Sequence, residues 1–501
     1  AKAWNSLVEQ VTEPEKWKTY PLSIAIDPSH PERLYTMVGQ WPDSAIGISE
    51  DYGATFTYVD PPVIDAEGHT ARIHGNDPGR STGGRLVVDP WNPDILYMGT
   101  QYHGLYRTTD RCKTWEALHV AYPLKSAEQN ISFVEIDQTS GAPGQPCRRL
   151  VVGTNGREGS MGADVRGQSV YLSNDGGASF VPLKGEPEPV LGGATDYPGY
   201  VGQRALFVDN FLYVTYAAYN IGWSNWNSYG CDTGLAYDGA LYRFELDRFG
   251  EVVEAKDLTP MHPHTPHYHD PEAPNRRCGY GLSGISVDPE DKDILVVTTI
   301  TSKPDVVFRS VDGGLTFRPI LMGLTIGKLE FPTTYLLPEY NGQDSYIHWM
   351  ADFKIDPFNR DRGITNTGAG VFVSENLTAA EREESVVFTT TNKGMEETVH
   401  LNVYSPSAGP YHALDAIGDY GGFAFEGWDV IPRNTFANAQ GDRWITAMNI
   451  DFTDKDPSHV FVSVRGNWTG KTKGGIIHSA DYGTTWHKLP DPGPLSKAID
   501  D

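Results

Sequence analysis

The stretch SVDGGLTF, from Ser310 to Phe317, decides the fold class. It follows the apolar run VVFR and returns as SEDYGATF from Ser49 to Phe56, SNDGGASF from Ser173 to Phe180 and SADYGTTW from Ser479 to Trp486. A degenerate copy, TTDRCKTW, runs from Thr108 to Trp115 with Cys112 in the glycine position. The shared pattern is S-x-D-x-G-x-[ST]-[FW]. Its aspartates are Asp51, Asp110, Asp175, Asp312 and Asp481. Each carboxylate can accept N–H bonds of its own turn, the glycine supplies a positive φ, and the last aromatic packs between sheets. Each copy therefore predicts a hairpin turn whose aspartate is structural rather than chemical.

A second motif lies before most of these Asp-boxes. It reads IAIDPSHPERLY from Ile24, LVVDPWNPDILY from Leu86, ISVDPEDKDILV from Ile285 and FKIDPFNRDRGI from Phe353, with weaker relatives at Phe133 and Met448. Proline cannot donate to a β-ladder, so Asp-Pro marks a strand end. Strand, Asp-Pro turn, strand, Asp-box hairpin and strand make a four-stranded unit, which is a propeller blade. About eight blades are expected, centred on 23–60, 83–118, 131–183, 199–258, 280–321, 349–389, 400–432 and 445–490; the fourth, sixth and seventh lack a clean box. Helical periodicity is nearly absent outside TAAEREES near Thr378. The fold class is all-β.

Composition agrees. The 501 residues include 53 Gly, 35 Pro, 26 Tyr, 19 Phe and 12 Trp, a pattern of short strands and tight turns rather than disorder. The net charge of −25 opposes contact with phosphate backbones and anionic membranes, so neither nucleic acid nor membrane is an expected partner. No apolar run is long enough to span a bilayer. The opening AKAWNSL has neither initiator Met nor signal core, as expected of a mature secreted chain. Sequons at Asn130, Asn376 and Asn467 point weakly the same way. The cysteines form no CxxC; sequence proximity suggests Cys112–Cys147 and Cys231–Cys278 disulfides, with four unpaired buried thiols as the alternative.

Several longer segments resemble the family-74 glycoside hydrolases, the xyloglucanases. They are GNDPGRSTGGRLVVDPWNPDILYMGTQYHGLYRTTD from Gly75, YGLSGISVDP from Tyr280, WMADFKIDPFNRDRGITNTGAGVFVSENLT from Trp349, GMEETVHLNVYSPSAGP from Gly394 and IGDYGGF from Ile417. The resemblance runs in order along nearly the whole chain. It implies two propellers facing each other across a cleft that holds a xylose-branched β-1,4-glucan, and hydrolysis with inversion by two aspartates. Residues 1–340 would then form the first propeller and 341–501 the start of a second, with one large single ring as the alternative. The family's general acid falls on Asp419, between Gly418 and the pair Gly421 and Gly422, glycines that would let a sugar approach the backbone. The family's early T-D-x-G-G motif, which carries the base, does not occur here, and the family continues beyond the position of Asp501. A second polypeptide or further residues are therefore expected to complete the fold.

An inverting pair needs a second carboxylate on the far side of a water. Candidates are Asp77, in GNDPGR, where pairing with Arg80 is the bland alternative, and Asp352, in WMADF, which could instead tune Asp419. Glu396 and Glu397 read as supporting residues. Sugar-stacking candidates are Tyr102 and His103 in QYHGLY, Trp223, Trp226 and Tyr229 in GWSNWNSYG, and Trp349. The tract MHPHTPHYHD holds His262, His264, His267 and His269, but it is broken by proline and lacks a fixed Cys or carboxylate partner. It reads as a cleft-lining loop, and no metal or cofactor is assigned. A sialidase would need an F-R-I-P motif, whereas FRPI at Phe317 has the wrong order. The remaining competitor is a carbohydrate- or protein-binding propeller without catalysis.

Overall fold

The computed structural model describes residues 21–40, 43–73, 75, 81–120, 129–156, 169–187, 200–218, 239–260, 281–300, 304–323, 325–332, 347, 349–393, 395, 398–453, 455–467 and 470–490. These form eight antiparallel sheets, each built on a four-stranded meander in which sequential strands pair. Seven have four strands; the sixth gains a fifth, Lys328–Glu330, beside Val387–Thr390. The helical content among the described residues is two short 3-10 turns, Gln138–Ser140 and Leu377–Arg382. Leu377–Arg382 coincides with the single helical stretch expected from sequence, and it stops at Glu383, whose φ is +60°.

The Asp-boxes join the third and fourth strands of five sheets. In the fifth sheet the Ser310 hydroxyl donates to Asp312 Oδ1 at 2.8 Å, and Oδ1 also accepts the Thr316 N–H at 2.8 Å. Oδ2 accepts the Thr316 hydroxyl at 2.6 Å, and the Gly314 N–H donates to Ser310 Oγ at 2.9 Å. The set recurs at Asp51, Asp110, Asp175 and Asp481. Positions four and five of every box are left-handed, for example Gly313 at +69° and Gly314 at +83°. Tyr52, Arg111 and Tyr482 tolerate position four, and Cys112 takes position five at φ +65°. These hydrogen bonds hold the box carboxyls below the usual range; the Thr114 hydroxyl and N–H and the Thr108 hydroxyl bring Asp110 to about 2. In the sixth sheet Asn376 stands where the boxes have aspartate, accepting the Ser374 hydroxyl, but its loop is longer and holds the 3-10 turn, and its Oδ1 accepts the N–H of Val387 at 2.9 Å. Two of the three sequon amides thus serve the fold: Asn376 Nδ2 donates to Ser385 O and Asn467 Nδ2 to Arg443 O.

The cores lie between consecutive sheets. Tyr35, Met37 and Ile46 of the first sheet pack on Leu96, Met98 and Tyr106 of the second. Leu414 of the seventh, with Phe436 and Trp444 from the segment that follows its last strand, packs on Val460, Ile477 and Trp486 of the eighth. Cys112 belongs to the core of sheets one and two and Cys147 to that of sheets two and three. The expected Cys112–Cys147 disulfide is therefore corrected: both are free, buried thiols, and burial raises each to about 12. Closeness in sequence does not place them in the same layer. Cys231 and Cys278 lie outside the described residues.

The chain divides into two compact units. The larger comprises Asn5–Leu329 and Tyr346–Phe388; the smaller comprises Ala1–Trp4, Glu330–Ser345 and Thr389–Asp501. In the larger unit the first strands of successive sheets are neighbours in chain order, from Pro21–Asp27 through to Phe353–Asp356. In the smaller unit His400–Tyr404 neighbours Thr446–Thr453.

Candidate functional site

In the smaller unit, Ala413–Ile417 and Gly421–Phe425 form a hairpin whose tip carries Asp419. Asp419 sits at φ +62°, a conformation that Asp adopts more readily than most residues. Its N–H donates to Thr446 Oγ1 at 3.3 Å, the Gly418 N–H to Val399 O at 2.9 Å and the Gly421 N–H to Ile445 O at 3.0 Å. The backbone is thus held from both sides while the side chain is exposed.

Gly421 and Gly422 have a different role from the one sequence suggested. Both are buried. A Cβ on Gly421 would lie 2.2 Å from Trp444 O, and one on Gly422 2.3 Å from the Phe436 ring. Their missing side chains let the hairpin close on its own blade, and they offer no open backbone to a sugar.

Beside this hairpin runs a chain of three polar side chains that sequence reasoning did not connect. Asp415 Oδ2 lies 2.6 Å from His400 Nδ1, and His400 Nε2 lies 2.7 Å from Thr398 Oγ1. Burial raises the Asp415 carboxyl above its ordinary range, partly offset by His400. Tyr420, next to Asp419, has the Arg443 guanidinium 5.6 Å from its ring centre.

In the larger unit, Asp352 precedes the first strand of the sixth sheet. Arg204 Nη1 lies 3.1 Å from Oδ2, and Lys354 Nζ lies 2.9 Å from Oδ1. Burial alone would raise this carboxyl, but Arg204 and Lys354 bring it below the usual range. Glu135, on the first strand of the third sheet, behaves oppositely: burial pushes it up to about 7, with Lys354 opposing and Asp352 adding to the shift. Glu135 is thus coupled electrostatically to both Lys354 and Asp352. Nothing in the local pattern singles out Glu135, which stands between Val134 and Ile136 in an ordinary strand.

Trp349 is exposed at 51% and adopts φ +59°, a strained conformation for so bulky a residue. Its neighbours fix it. The Met350 N–H donates to Asp305 Oδ2 at 3.0 Å, and Met350 O accepts from the Thr298 hydroxyl at 3.1 Å. Ala351 O accepts from Arg204 Nε at 2.7 Å and from the Ser283 hydroxyl at 2.8 Å. A solvent-facing indole on a pinned stretch of backbone suits stacking on a sugar ring.

Tyr102 and His103 lie in the second sheet's hairpin, where the Arg72 guanidinium is 4.8 Å from the Tyr102 ring centre. One face of that ring is therefore taken. Burial and Arg72 lower the His103 pKa. Asp77, Arg80, Trp223, Trp226, Tyr229, Glu396, Glu397 and the tract His262–His269 lie outside the described residues.

No protein-family model matches the chain. It is 30% identical over 502 residues to a xyloglucanase from a Paenibacillus species, across 93% of this chain and 43% of that protein. It is 29% identical over 514 residues to a xyloglucanase of Acetivibrio thermocellus, across 95% of this chain and 53% of that protein. A crystal structure of a GH74 xyloglucanase from Xanthomonas campestris superposes with a TM-score of 0.75 at 25% identity, covering 98% of this chain and 64% of that one. The chain spans about half the length of the curated relatives it matches.

Proposed function

We propose, from the premise that this chain is a relative of the family-74 glycoside hydrolases, that it cleaves the β-1,4-glucan backbone of xyloglucan outside the cell. The observation that carries this reading is the in-order similarity to xyloglucanases over more than nine-tenths of the chain, with the G-D-x-G-G-F aspartate at an exposed hairpin tip. In the proposed mechanism, Asp419 protonates the glycosidic oxygen as the bond breaks. A second carboxylate, roughly 6.5–9.5 Å away across the sugar, takes a proton from the attacking water, so the anomeric centre inverts. Asp352 is ionised, as a base must be, but both its oxygens already serve cations, and a carboxylate of lowered pKa is a weak base. That leaves Asp77 as the better candidate. A two-propeller plan belongs to the same proposal. Because the sixth sheet falls in the larger unit, we place the seam near Phe388 rather than at 340.

The clamping of Asp352 also favours a second reading, in which the chain binds the polysaccharide without cleaving it. Incubation with tamarind xyloglucan, followed by proton NMR of the new reducing ends, separates the two. Initial release of the α-anomer supports inverting hydrolysis. Initial β-anomer rejects inversion, and binding without new ends establishes the second reading.

A further inference from the structure

The turns at the Asp-box end of the third and fourth sheets enclose a groove of about 680 Å³. Its wall comes from Ser140 and Arg148 between the first two strands of the third sheet, Asn174 in that sheet's box, Asn210 between the first two strands of the fourth, and Arg248 and Phe249 between its last two. Tyr102 and His103 lie in a hairpin between second and third strands, which is the other end of a blade. Strands such as Leu150–Gly156 and Phe211–Ala218, seven and eight residues long, set the two ends ~23–26 Å apart. The groove is therefore separate from the stacking candidates described above.

The charged side chains lining it are Arg148, Arg149, Arg248, Asp209 and Asp247, and three of them are committed. Arg149 Nη1 lies 2.7 Å from Oδ2 of the buried Asp137, and its Nε–H donates to Asn174 Oδ1 at 3.0 Å. Asp209 pairs with Lys292. Asp247 Oδ1 accepts the Phe249 and Glu251 N–H groups at 2.8 and 2.9 Å. Arg148 and Arg248 remain. Among the described residues neither guanidinium meets a carboxylate, and Arg248 lies over the Phe249 ring, 4.5 Å from its centre. A chain of net charge −25 thus keeps two uncompensated arginines in one groove.

We propose that this groove binds a carboxylate-bearing oligosaccharide, a uronate oligomer, with Arg148 and Arg248 taking its carboxylates and Phe249 stacking on a sugar ring. The planar fork of a guanidinium matches the two oxygens of a carboxylate. Phe249 is 64% exposed, and an aromatic held in solvent beside a cation suits the apolar face of a pyranose. Trp91, exposed at 39%, stands against the Gln138–Ser140 turn, its Nε1–H donating to Gln138 O at 2.8 Å. Two aromatics accompanying two arginines suit a chain of acidic sugars better than a lone anion. Asn210 donates through Nδ2 to Glu245, which leaves its side-chain carbonyl for a sugar hydroxyl. The backbone is already set: Ser140 Oγ accepts the Arg148 and Arg149 N–H groups at 3.1 and 2.9 Å. The site does not depend on the hydrolase reading.

The test is titration calorimetry of the full chain with trigalacturonate, beside neutral cellotriose and sodium sulfate. We expect one trigalacturonate per chain, bound more weakly as salt rises and not displaced by cellotriose. Arg148→Gln and Arg248→Gln should each weaken binding about tenfold, as loss of a charged hydrogen-bond partner does, and Phe249→Ala about fivefold. All three side chains are exposed, so the variants should keep the parent Tm. Lys393→Gln, which removes an exposed cation elsewhere, should bind as the parent does. Absence of trigalacturonate binding in the parent overturns the proposal, as does parental affinity in the Arg148→Gln and Arg248→Gln double variant. Equal affinity for sulfate, or displacement by cellotriose, overturns the assignment to an acidic sugar.

Discussion

Asp352 precedes the first strand of one blade-like sheet and Asp419 tips the hairpin between the second and third strands of another, and their surroundings differ in kind. Asp352 is held by Arg204 and Lys354, and its segment is pinned by hydrogen bonds from three further residues. Asp419 has a pinned backbone and an exposed side chain. The contrast separates a carboxylate tied into ion pairs from one left open to solvent. It also locates the strain: Trp349, three residues before Asp352, is left-handed within a clamped segment, while Asp419 is left-handed in a turn that suits it.

The comparison breaks first on stability. Asp352→Ala leaves Arg204 and Lys354 facing each other without their anion. It should cost about 2–4 kcal/mol in urea unfolding, the lower range for a broken ion pair because the site is part-exposed. Asp419→Ala should change stability by less than ~0.5 kcal/mol. Equal losses would erase the distinction.

The second test is pH. The Glu135 carboxyl is held at about 7 in the folded chain against an ordinary 4.5. A raised acid favours the folded state while protonated. Its contribution is complete below about 4.5 and is lost as pH rises to about 7, because the unfolded chain ionises first. The Glu135→Gln chain should show a flatter Tm profile between these limits, with a difference of at most ~3 kcal/mol. An unchanged profile would remove Glu135 from the Asp352 cluster.

Third, Gly422→Ala should cost ~1–3 kcal/mol through overlap with Phe436 and Asp415 O, while Gly84→Ala, in open space, should cost less. A modest loss belongs to the boxes. Asp481→Ala should lose ~1 kcal/mol or less, since its neighbours can bond to water instead, and chain unfolding in urea would show it.

The turns were legible in the sequence because their chemistry is local: Ser49, Asp51, Gly53 and Thr55 satisfy one another within seven residues. The Asn376 turn was missed because asparagine replaces the diagnostic aspartate and a 3-10 turn lengthens the loop. Glu135, the Asp415–His400–Thr398 chain and the arginine-lined groove depend on which residues stand opposite across ladders or between sheets. A single sequence does not give that register, and it misled in pairing Cys112 with Cys147. Asp419 was singled out only through family resemblance, since a glycine-flanked aspartate has the same local signature as any turn.

The central claim is that Asp419 delivers the proton and Asp352 does not. The direct measurement is kcat on xyloglucan for Asp419→Asn and Asp352→Asn, beside oligosaccharide affinity by calorimetry. The account predicts that Asp419→Asn loses ~10²–10⁴-fold in kcat with affinity nearly intact. It predicts that Asp352→Asn, assayed where it remains folded, loses far less. Wild-type turnover in Asp419→Asn would contradict it.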